Sequence, residues 1–252
     1  MNRFLPLLSF LGSLALWQVL VMIFAVPVYI FPGPITIVGA FAIDWAMLLR
    51  ALLATLSVTA LALVCAVILG VGLACVMAAS GAARALLQPW TIILQVTPIV
   101  AIAPLITIWV NNPFAAMVVC ATIVAFFPIY ANTAQGLAAT PKEMVELFDL
   151  YGAGSRQKIL WLRLPSAVPY FLAGLRISGG LALVGAVVAE FVVGAGGIAS
   201  GLAFRILEAG YRLQIPRMFA ALVLLALAGL AINFGFSLLS RCLSRFPASK
   251  GF

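Results

Sequence analysis

The chain has 252 residues, of which 65% are hydrophobic and 8% are charged, and its mean hydropathy is +1.25. A soluble domain has about a quarter of its residues charged, so this composition excludes a water-soluble globular protein and indicates a membrane protein. The net charge is +8 without any histidine, and the bases are scattered between apolar segments, which argues against nucleic-acid binding and removes the commonest general base.

Six apolar segments are long enough to cross a bilayer as helices, because a spanning helix needs about 20 such residues. They are 5–26, 51–79, 86–110, 113–135, 167–193 and 218–240. The first is too long for the apolar core of a signal peptide, so we expect it to be retained. The pattern predicts an all-α polytopic membrane protein in which 1–252 form one transmembrane domain.

Cysteine usage gives no sign of a disulfide framework or a metal site. None of the four cysteines forms a C-x-x-C pair, and three of them lie inside apolar segments. They are Cys65, Cys75, Cys120 and Cys242. We therefore interpret them as small buried residues.

Prolines interrupt the third and fourth segments. Pro98 and Pro104 lie inside the third, and Pro128 lies inside the fourth, where each is expected to kink or loosen the helix. Two interpretations remain open, namely helix packing and the lining of a transport pathway. The same choice, pathway lining or hydrogen bonding between helices, applies to the neutral polar residues nearby, for most of which we favour hydrogen bonding. These are Gln95, Thr97, Asn111, Asn112 and Asn132.

The segment 136–166 contains the densest run of charged residues in the chain. Thr140, Pro141 and Glu143 match the N-cap, N1 and N3 positions of a helix, in a pattern close to a capping box. The sequence therefore predicts a helix over about 141–151 that begins with a side-chain cap.

A second short helix is predicted to follow a glycine turn. Gly152 has the position of a C′ glycine that ends the first helix. The second helix is expected over about 154–163 and is expected to stop at Leu164-Pro165, with Pro169 opening the next span. Apolar residues of this helix pair should dock either on the protein's own cytoplasmic face or on a partner. They are Phe148, Leu150 and Tyr151.

Glu190 is the one acid that we place inside a span, and a carboxylate in a membrane is a functional-site hypothesis by default. It lies near the outer end of the fifth segment, so a structural ion pair with Arg205 or Arg212 is expected rather than contact with a substrate. A proton relay is not indicated, because no second acid lies nearby in the sequence.

The segment 194–217 is predicted to form a glycine turn followed by a short helix. Arg205, Glu208 and Arg212 lie at i, i+3 and i+7, so they should form one charged face. This face is expected to be a solvated cap, and a docking or gating surface is the alternative.

The distribution of bases predicts the orientation of the chain. With the N-terminus inside, ten bases lie inside and four lie outside, which satisfies the positive-inside rule. The inside set is Arg3, Arg84, Lys142, Arg156, Lys158, Arg163, Arg176, Arg241, Arg245 and Lys250. The outside set is Arg50, Arg205, Arg212 and Arg217. The segment 136–166 is therefore expected in the cytoplasm, together with both termini.

The segment also carries a spaced pattern, E-x-x-x-x-x-G, nine residues, then an aliphatic residue, x and Leu-Pro. Here the pattern consists of Glu146, Gly152, Leu162, Leu164 and Pro165. It resembles the cytoplasmic loop signature of permease subunits of bacterial ATP-binding-cassette (ABC) importers. The usual form has two alanines where this chain has Leu147-Phe148, which puts the tight helix packing of those positions in doubt.

The resemblance extends over most of the chain, including PLITIWV, FFPIYANTAQGL and ILEAGYRL, and is to permeases of the nitrate/sulfonate/taurine type. It implies a type I ABC importer permease fold in the bacterial inner membrane. It also implies a homodimer that works with two cytoplasmic ATPase subunits and a periplasmic substrate-binding protein. The chain would be no enzyme and would bind no cofactor itself, with ATP-Mg on the partner, and it has no G-x-x-x-x-G-K-[ST] motif.

In this family the first loop helix docks in a groove on the ATPase, and closure of two ATPases moves it as a rigid body to switch the pore. The resemblance therefore implies a set of ATPase-coupling residues. They are Glu146, Asp149, Gly152, Ala153, Ser155, Leu164 and Pro165. The implied substrate is a small organic or anionic molecule, like a pyrimidine or thiamine precursor, or like a sulfonate or nitrate.

Two other classes of function are weighed against this one. A self-sufficient secondary transporter would carry inverted repeats and an ion site at the membrane midplane, and the sequence has neither. An intramembrane enzyme would need convergent catalytic groups, and the chain has one acid placed in a span and no histidine.

Overall fold

The structure is a computed structural model that describes residues 5–194 and 200–243, without the side chains of Pro6, Leu7 and Leu243. Three of the bases assigned to the inside and most of the predicted glycine turn after Val193 lie outside these ranges. The bases are Arg3, Arg245 and Lys250.

All regular elements in the described ranges are helical, which confirms the predicted all-α class. They are α1 (Leu5–Ile23), α2 (Pro34–Ala79), α3 (Gly81–Val96), α4 (Ile99–Val110), α5 (Pro113–Ala138), α6 (Lys142–Leu150), α7 (Ser155–Lys158), a π-helical turn (Ile159–Arg163), α8 (Leu164–Val193), α9 (Leu202–Tyr211) and α10 (Ile215–Leu243).

Among the described residues, four helices are long and apolar enough to cross a membrane, and α3 with α4 adds a fifth if the pair is one bent span. The four are Pro34–Ala79, Pro113–Ala138, Ser155–Val193 and Ile215–Cys242. Helix α1 is among the shorter apolar helices. Each of the six predicted spans therefore coincides with a helix, but the first is short and the third is bent.

The second helix is much longer than predicted. The sequence predicts a span over 51–79, whereas α2 runs for 46 residues from Pro34. Pro34 at the helix start needs no N–H partner, and Asp44 inside the helix forms an ion pair with Arg217. With 46 residues, α2 has more than twice the roughly 20 residues that one span requires.

The third predicted span breaks at one of its two interior prolines. The chain bends by 104° away from a straight helix between α3 and α4. Thr97 takes an extended conformation with ψ of 122°, because the helical region is disfavoured for the residue before a proline, and Pro98 occupies the N-cap position of α4. Pro104 lies inside α4 without ending it. The break in the third predicted span is therefore at Thr97-Pro98.

The chain divides into two compact units, to both of which α2 and α10 contribute residues. The interpretation of 1–252 as one domain stays a prediction. The first unit is Met1–Thr55 with Gly194–Leu227. In its core Leu48 and Leu202 are fully buried, and the Thr55 hydroxyl accepts a hydrogen bond of 2.9 Å from the Leu202 N–H. This bond satisfies a backbone donor at the buried start of α9.

The second unit, Leu56–Val193 with Ala228–Phe252, is built around α5 and α8. These helices approach closely at small residues, as is typical of membrane helices. A Cβ atom on Gly174 would lie 2.7 Å from the carbonyl oxygen of Pro128. The buried Ser178 hydroxyl donates a hydrogen bond of 2.6 Å to the carbonyl of Ala125. This pair of helices also carries the segment 136–166, which resembles a coupling loop.

Candidate functional site

The first helix of the loop begins without the predicted side-chain cap. Thr140 is buried, and its hydroxyl donates back to the carbonyl of Leu137 at 3.2 Å. Pro141 occupies the N-cap position instead, so α6 begins at Lys142. The prediction of a Thr140 cap is wrong because a hydroxyl that follows a helix can satisfy that helix's last carbonyls instead of the next helix's first N–H groups.

The turn after α6 is a complete Schellman motif around Gly152. The Gly152 N–H donates to Asp149 O at 3.0 Å, and the Ala153 N–H donates to Phe148 O at 2.9 Å. Gly152 has φ of +67°, a conformation that side chains with a Cβ atom rarely adopt. The prediction that Gly152 ends the helix is confirmed.

An ion pair joins the two short helices across this turn. Lys158 Nζ lies 2.6 Å from Asp149 Oδ1, with the lysine side chain 20% exposed and the aspartate 55% exposed. The Gln157 side chain also accepts from the Gly154 N–H at 2.9 Å, at the start of α7. A pair this open to solvent contributes at most about 1 kcal/mol, so its effect is to orient the helices rather than to hold the fold.

The exit of the loop differs from the prediction. Leu164-Pro165 does not stop the second helix and Pro169 does not open a new one, because Ser155–Val193 is continuous. A π-helical turn precedes Pro165, and in it the Leu164 N–H donates to Ile159 O. Proline in a regular α-helix clashes with the carbonyl four residues earlier, and the wider π turn changes the backbone just where that carbonyl lies.

The base of the loop is held by direct backbone contact. A Cβ atom on Gly136, near the end of α5, would lie 2.9 Å from Ala167 Cα in α8. Leu137 and Leu162 are buried beside this contact, at 2% and 6% exposure. The loop therefore leaves and re-enters the helix pair at one tightly packed point.

One face of α6 is apolar and exposed. Leu147, Leu150 and Tyr151 lie at i, i+3 and i+4, and their side chains are 43%, 86% and 85% exposed. We call these three residues the docking face. Met144, Val145 and Phe148 are half-buried on the other side. Of the two residues that depart from the family pattern, Leu147 thus faces outward and Phe148 faces inward.

The predicted coupling residues gather on this helix–turn–helix and at its exit. Five of them are exposed, namely Glu146, Asp149, Gly152, Ser155 and Pro165. Ala153 and Leu164 are half-buried. The sequence did not single out Trp161, which is 75% exposed in the π turn, because an aromatic residue in an apolar run resembles a core position.

The candidate pathway residues are placed at helix ends and breaks. Thr97 donates to Ile93 O at 2.6 Å, Asn112 caps α5 by accepting from the Ala115 N–H at 3.0 Å, and the Asn132 amide donates to Pro128 O at 2.8 Å. Within the described residues these three side chains bond locally, each to a group three or four positions away. The placement of the other three is as follows: Gln95 is exposed beside the bend, Asn111 has φ of +43° after α4, and Glu190 is 3% exposed in α8.

The predicted charged face of the segment 194–217 is present on α9. Glu208 pairs with Arg205 at 2.7 Å and with Arg212 at 3.0 Å. The hydrogen bond from Arg205 is the main cause that lowers the pKa of Glu208, with Arg212 and Arg217 adding favourable charge and burial opposing them. In the same unit the Arg217 guanidinium donates two hydrogen bonds, of 2.6 and 3.0 Å, to the Asp44 carboxylate.

Residues 66–246 match the profile of a protein family described as binding-protein-dependent transport system inner membrane component. The formylaminopyrimidine transport permease protein ThiX of Halalkalibacterium halodurans is 31% identical over 89% of this chain and 88% of its own. The riboflavin transport system permease protein RibX of Chloroflexus aurantiacus is 35% identical over 94% of this chain and 87% of its own. The putative aliphatic sulfonates transport permease protein SsuC of Bacillus subtilis is 28% identical over 94% of this chain and 85% of its own.

Among solved structures, the MetNI methionine ABC transporter in an inward facing conformation has a chain of similar fold. The TM-score is 0.68, with 20% sequence identity, and the match covers 81% of this chain and 99% of that chain. Likeness at this identity bears on the fold alone, and it agrees with the type I importer permease fold that the loop signature predicts.

Proposed function

This chain belongs to the family of binding-protein-dependent transport system inner membrane components, the multi-pass permeases of ABC importers, and from that premise we propose how it works. Two copies form a shared pore, each taking its driving force from a cytoplasmic ATPase subunit, while a periplasmic binding protein delivers the substrate. The chain itself performs no covalent chemistry, and ATP-Mg binds to the partner.

The docking face is the observation that carries this proposal. Leu150 and Tyr151 are 86% and 85% exposed on a helix that the positive-inside rule assigns to the cytoplasm, outside any span. Exposed apolar residues grouped on one helix face favour a protein partner. The ATPase subunit that every ABC importer requires is the occupant we assign to this face.

Two features of the loop support transmission of movement rather than flexible tethering. The Schellman turn and the ion pair between Asp149 and Lys158 fix α6 against α7. Helix α7 then continues through the π turn into α8, so Ser155–Val193 forms 39 helical residues without a break. Because the loop is also packed at Gly136, a displacement of α6 has to move α8 and α5 together.

The substrate class follows from the relatives rather than from the pore. Two of them are described as permeases for formylaminopyrimidine and for riboflavin, and a more distant one for aliphatic sulfonates. We propose a small nitrogen heterocycle as the substrate of this chain, with a sulfonate-like anion as the alternative. Ligand titration of the partner binding protein by calorimetry decides between them.

A pair of matched tyrosine variants tests the docking face. Tyr151 in the loop and Tyr211 at the end of α9 are 85% and 87% exposed, so aspartate at either position leaves the fold intact. Tyr151→Asp is expected to weaken ATPase association and ATP-driven uptake by about tenfold or more, because a charge is buried in the interface. Tyr211→Asp should leave ATPase association unchanged. Equal ATPase association by the two variants contradicts the proposal.

A further inference from the structure

A small cavity with two arginines lies beside the base of the loop. It has a volume of about 200 Å³, is partly open, and is lined by residues of α2, α3, α5 and the π turn. Arg84, Arg163, Gln88 and Tyr130 provide its polar lining, and none of the ten lining residues carries a carboxylate. The charged groups of the lining are therefore all positive.

The two guanidinium groups have no countercharge among the residues that the structure describes. Within the part of the chain that the structure describes, neither Arg84 nor Arg163 forms an ion pair with a carboxylate. The Nε atom of Arg163 is buried without a hydrogen-bond partner in those residues, and its Nη1 reaches only the carbonyl of Ala78, at 3.4 Å. Two unpaired arginines in one cavity repel each other, so an anion that accepts several hydrogen bonds stabilises the site.

We propose that this cavity binds the phosphate group of an anionic phospholipid from the cytoplasmic leaflet. A phosphate ester offers the oxygens that arginine binds in a bidentate manner, and basic pockets between spans on the cytoplasmic side suit such headgroups. The lipid source is favoured over soluble phosphate by α3 itself. Leu86 and Trp90, on either side of Gln88, are 71% and 65% exposed, so the helix that lines the cavity also presents apolar surface to acyl chains.

The position gives the lipid a consequence for the loop. Arg163 is the last residue of the π turn, and Leu137, another lining residue, is where α5 runs into the loop. A bound headgroup therefore ties α3, through Arg84, to the entrance and exit of the loop. Binding of this lipid should stiffen the base that Gly136 already packs, which adds a lipid-dependent control to the permease.

Lipid titration of the full-length protein in neutral detergent tests the proposal. Bound dioleoylphosphatidylglycerol is counted by native mass spectrometry, with dioleoylphosphatidylcholine as the zwitterionic comparison and inorganic phosphate as the soluble one. We expect preferential binding of phosphatidylglycerol and a rise in melting temperature that phosphatidylcholine does not give. Each of Arg84→Gln and Arg163→Gln should weaken this binding about fivefold.

The control is Lys142→Gln/Arg156→Gln, which removes the same charge from exposed positions of the loop outside the cavity. It should bind phosphatidylglycerol as the unmodified protein does. Equal losses in the control and in Arg84→Gln/Arg163→Gln, or equal binding of the two lipids, overturn the proposal. A melting shift with inorganic phosphate alone that Arg84→Gln abolishes assigns the cavity to soluble phosphate and overturns the lipid source. If the double arginine variant fails to fold, the binding of phosphatidylglycerol by Arg84→Gln alone decides, because Arg84 is exposed and its replacement should leave the fold intact.

Discussion

At the scale of single residues, glycines determine how closely the helices of the second unit approach. Gly136 and Gly174 face backbone atoms of the opposite helix at distances that no Cβ atom tolerates, whereas Gly180 of the same helix pair faces open space. The difference arises from the partner helix, so the sequence of α8 alone does not distinguish Gly174 from Gly180. Gly152 is different, because its role as a C′ residue depends only on local backbone conformation and could be predicted.

These two kinds of glycine should respond differently to alanine. Gly174→Ala places a methyl group 2.7 Å from Pro128 O and should destabilise the fold by about 1–3 kcal/mol. Gly180→Ala should change stability by less than about 1 kcal/mol, in the stabilising direction. Unfolding in mixed detergent micelles measures both. Equal losses would show that α5 and α8 do not meet at Gly174.

The lowered pKa of Glu208 predicts how the stability of the α9 segment depends on pH. Because Arg205 lowers its pKa in the folded state, its contribution is complete above the ordinary glutamate pKa and is lost as pH falls through the lowered value. Below about pH 5 the melting temperature of the unmodified protein should therefore decline more steeply than that of Glu208→Gln. Glu143→Gln, at an exposed position, is the control and should keep the steeper decline. Parallel curves for Glu208→Gln and the unmodified protein would exclude this ion pair as a source of acid sensitivity.

At the scale of elements, the sequence predicts where helices exist better than where they end. Hydropathy located all six apolar segments, because a segment that contacts lipid can be recognised from its apolar composition alone. It missed 34–50, a part of α2 in which Asp44 is paired with Arg217, 173 positions away in the sequence. The sequence also predicted that the second loop helix stops at Leu164-Pro165, because proline normally breaks a helix. The π turn that accommodates Pro165 has no characteristic amino-acid composition from which it could be predicted.

The bend between α3 and α4 can be measured as a distance. Spin labels at Leu86 and Ile108, both exposed, should lie about 20 Å apart across a 104° bend, against about 33 Å along a straight helix. We expect Pro98→Ala to shift the distance distribution toward the longer value and Pro104→Ala to leave it unchanged, on a background without native cysteines. A distance near 33 Å in the unmodified protein would disprove the bend.

At the scale of the whole molecule, the loop 136–166 and the charged α9 segment are predicted on opposite sides of the membrane. The bases support this orientation by ten to four. The same orientation places the docking face where a cytoplasmic ATPase can reach it. The loop could be recognised from the spacing of Glu146, Gly152 and Pro165, whereas the two-arginine cavity could not, because its lining comes from four separate elements.

Cysteine accessibility checks this orientation. Single cysteines at Ser155 and Leu213, both exposed, are placed in a cysteine-free background. A membrane-impermeant maleimide should label Leu213→Cys in intact cells and Ser155→Cys only in inside-out vesicles. The reverse pattern would invert the topology and remove the docking face from the cytoplasm.

The central claim is that α6 meets an ATPase subunit, and site-specific photo-crosslinking tests it most directly. A photoreactive amino acid at Leu150 of the docking face is compared with one at Tyr211, since both side chains are more than four-fifths exposed. We predict that Leu150 crosslinks to a protein whose peptides include G-x-x-x-x-G-K-[ST], and that Tyr211 does not. Crosslinking of such an ATPase through Tyr211 but not through Leu150 would contradict the account.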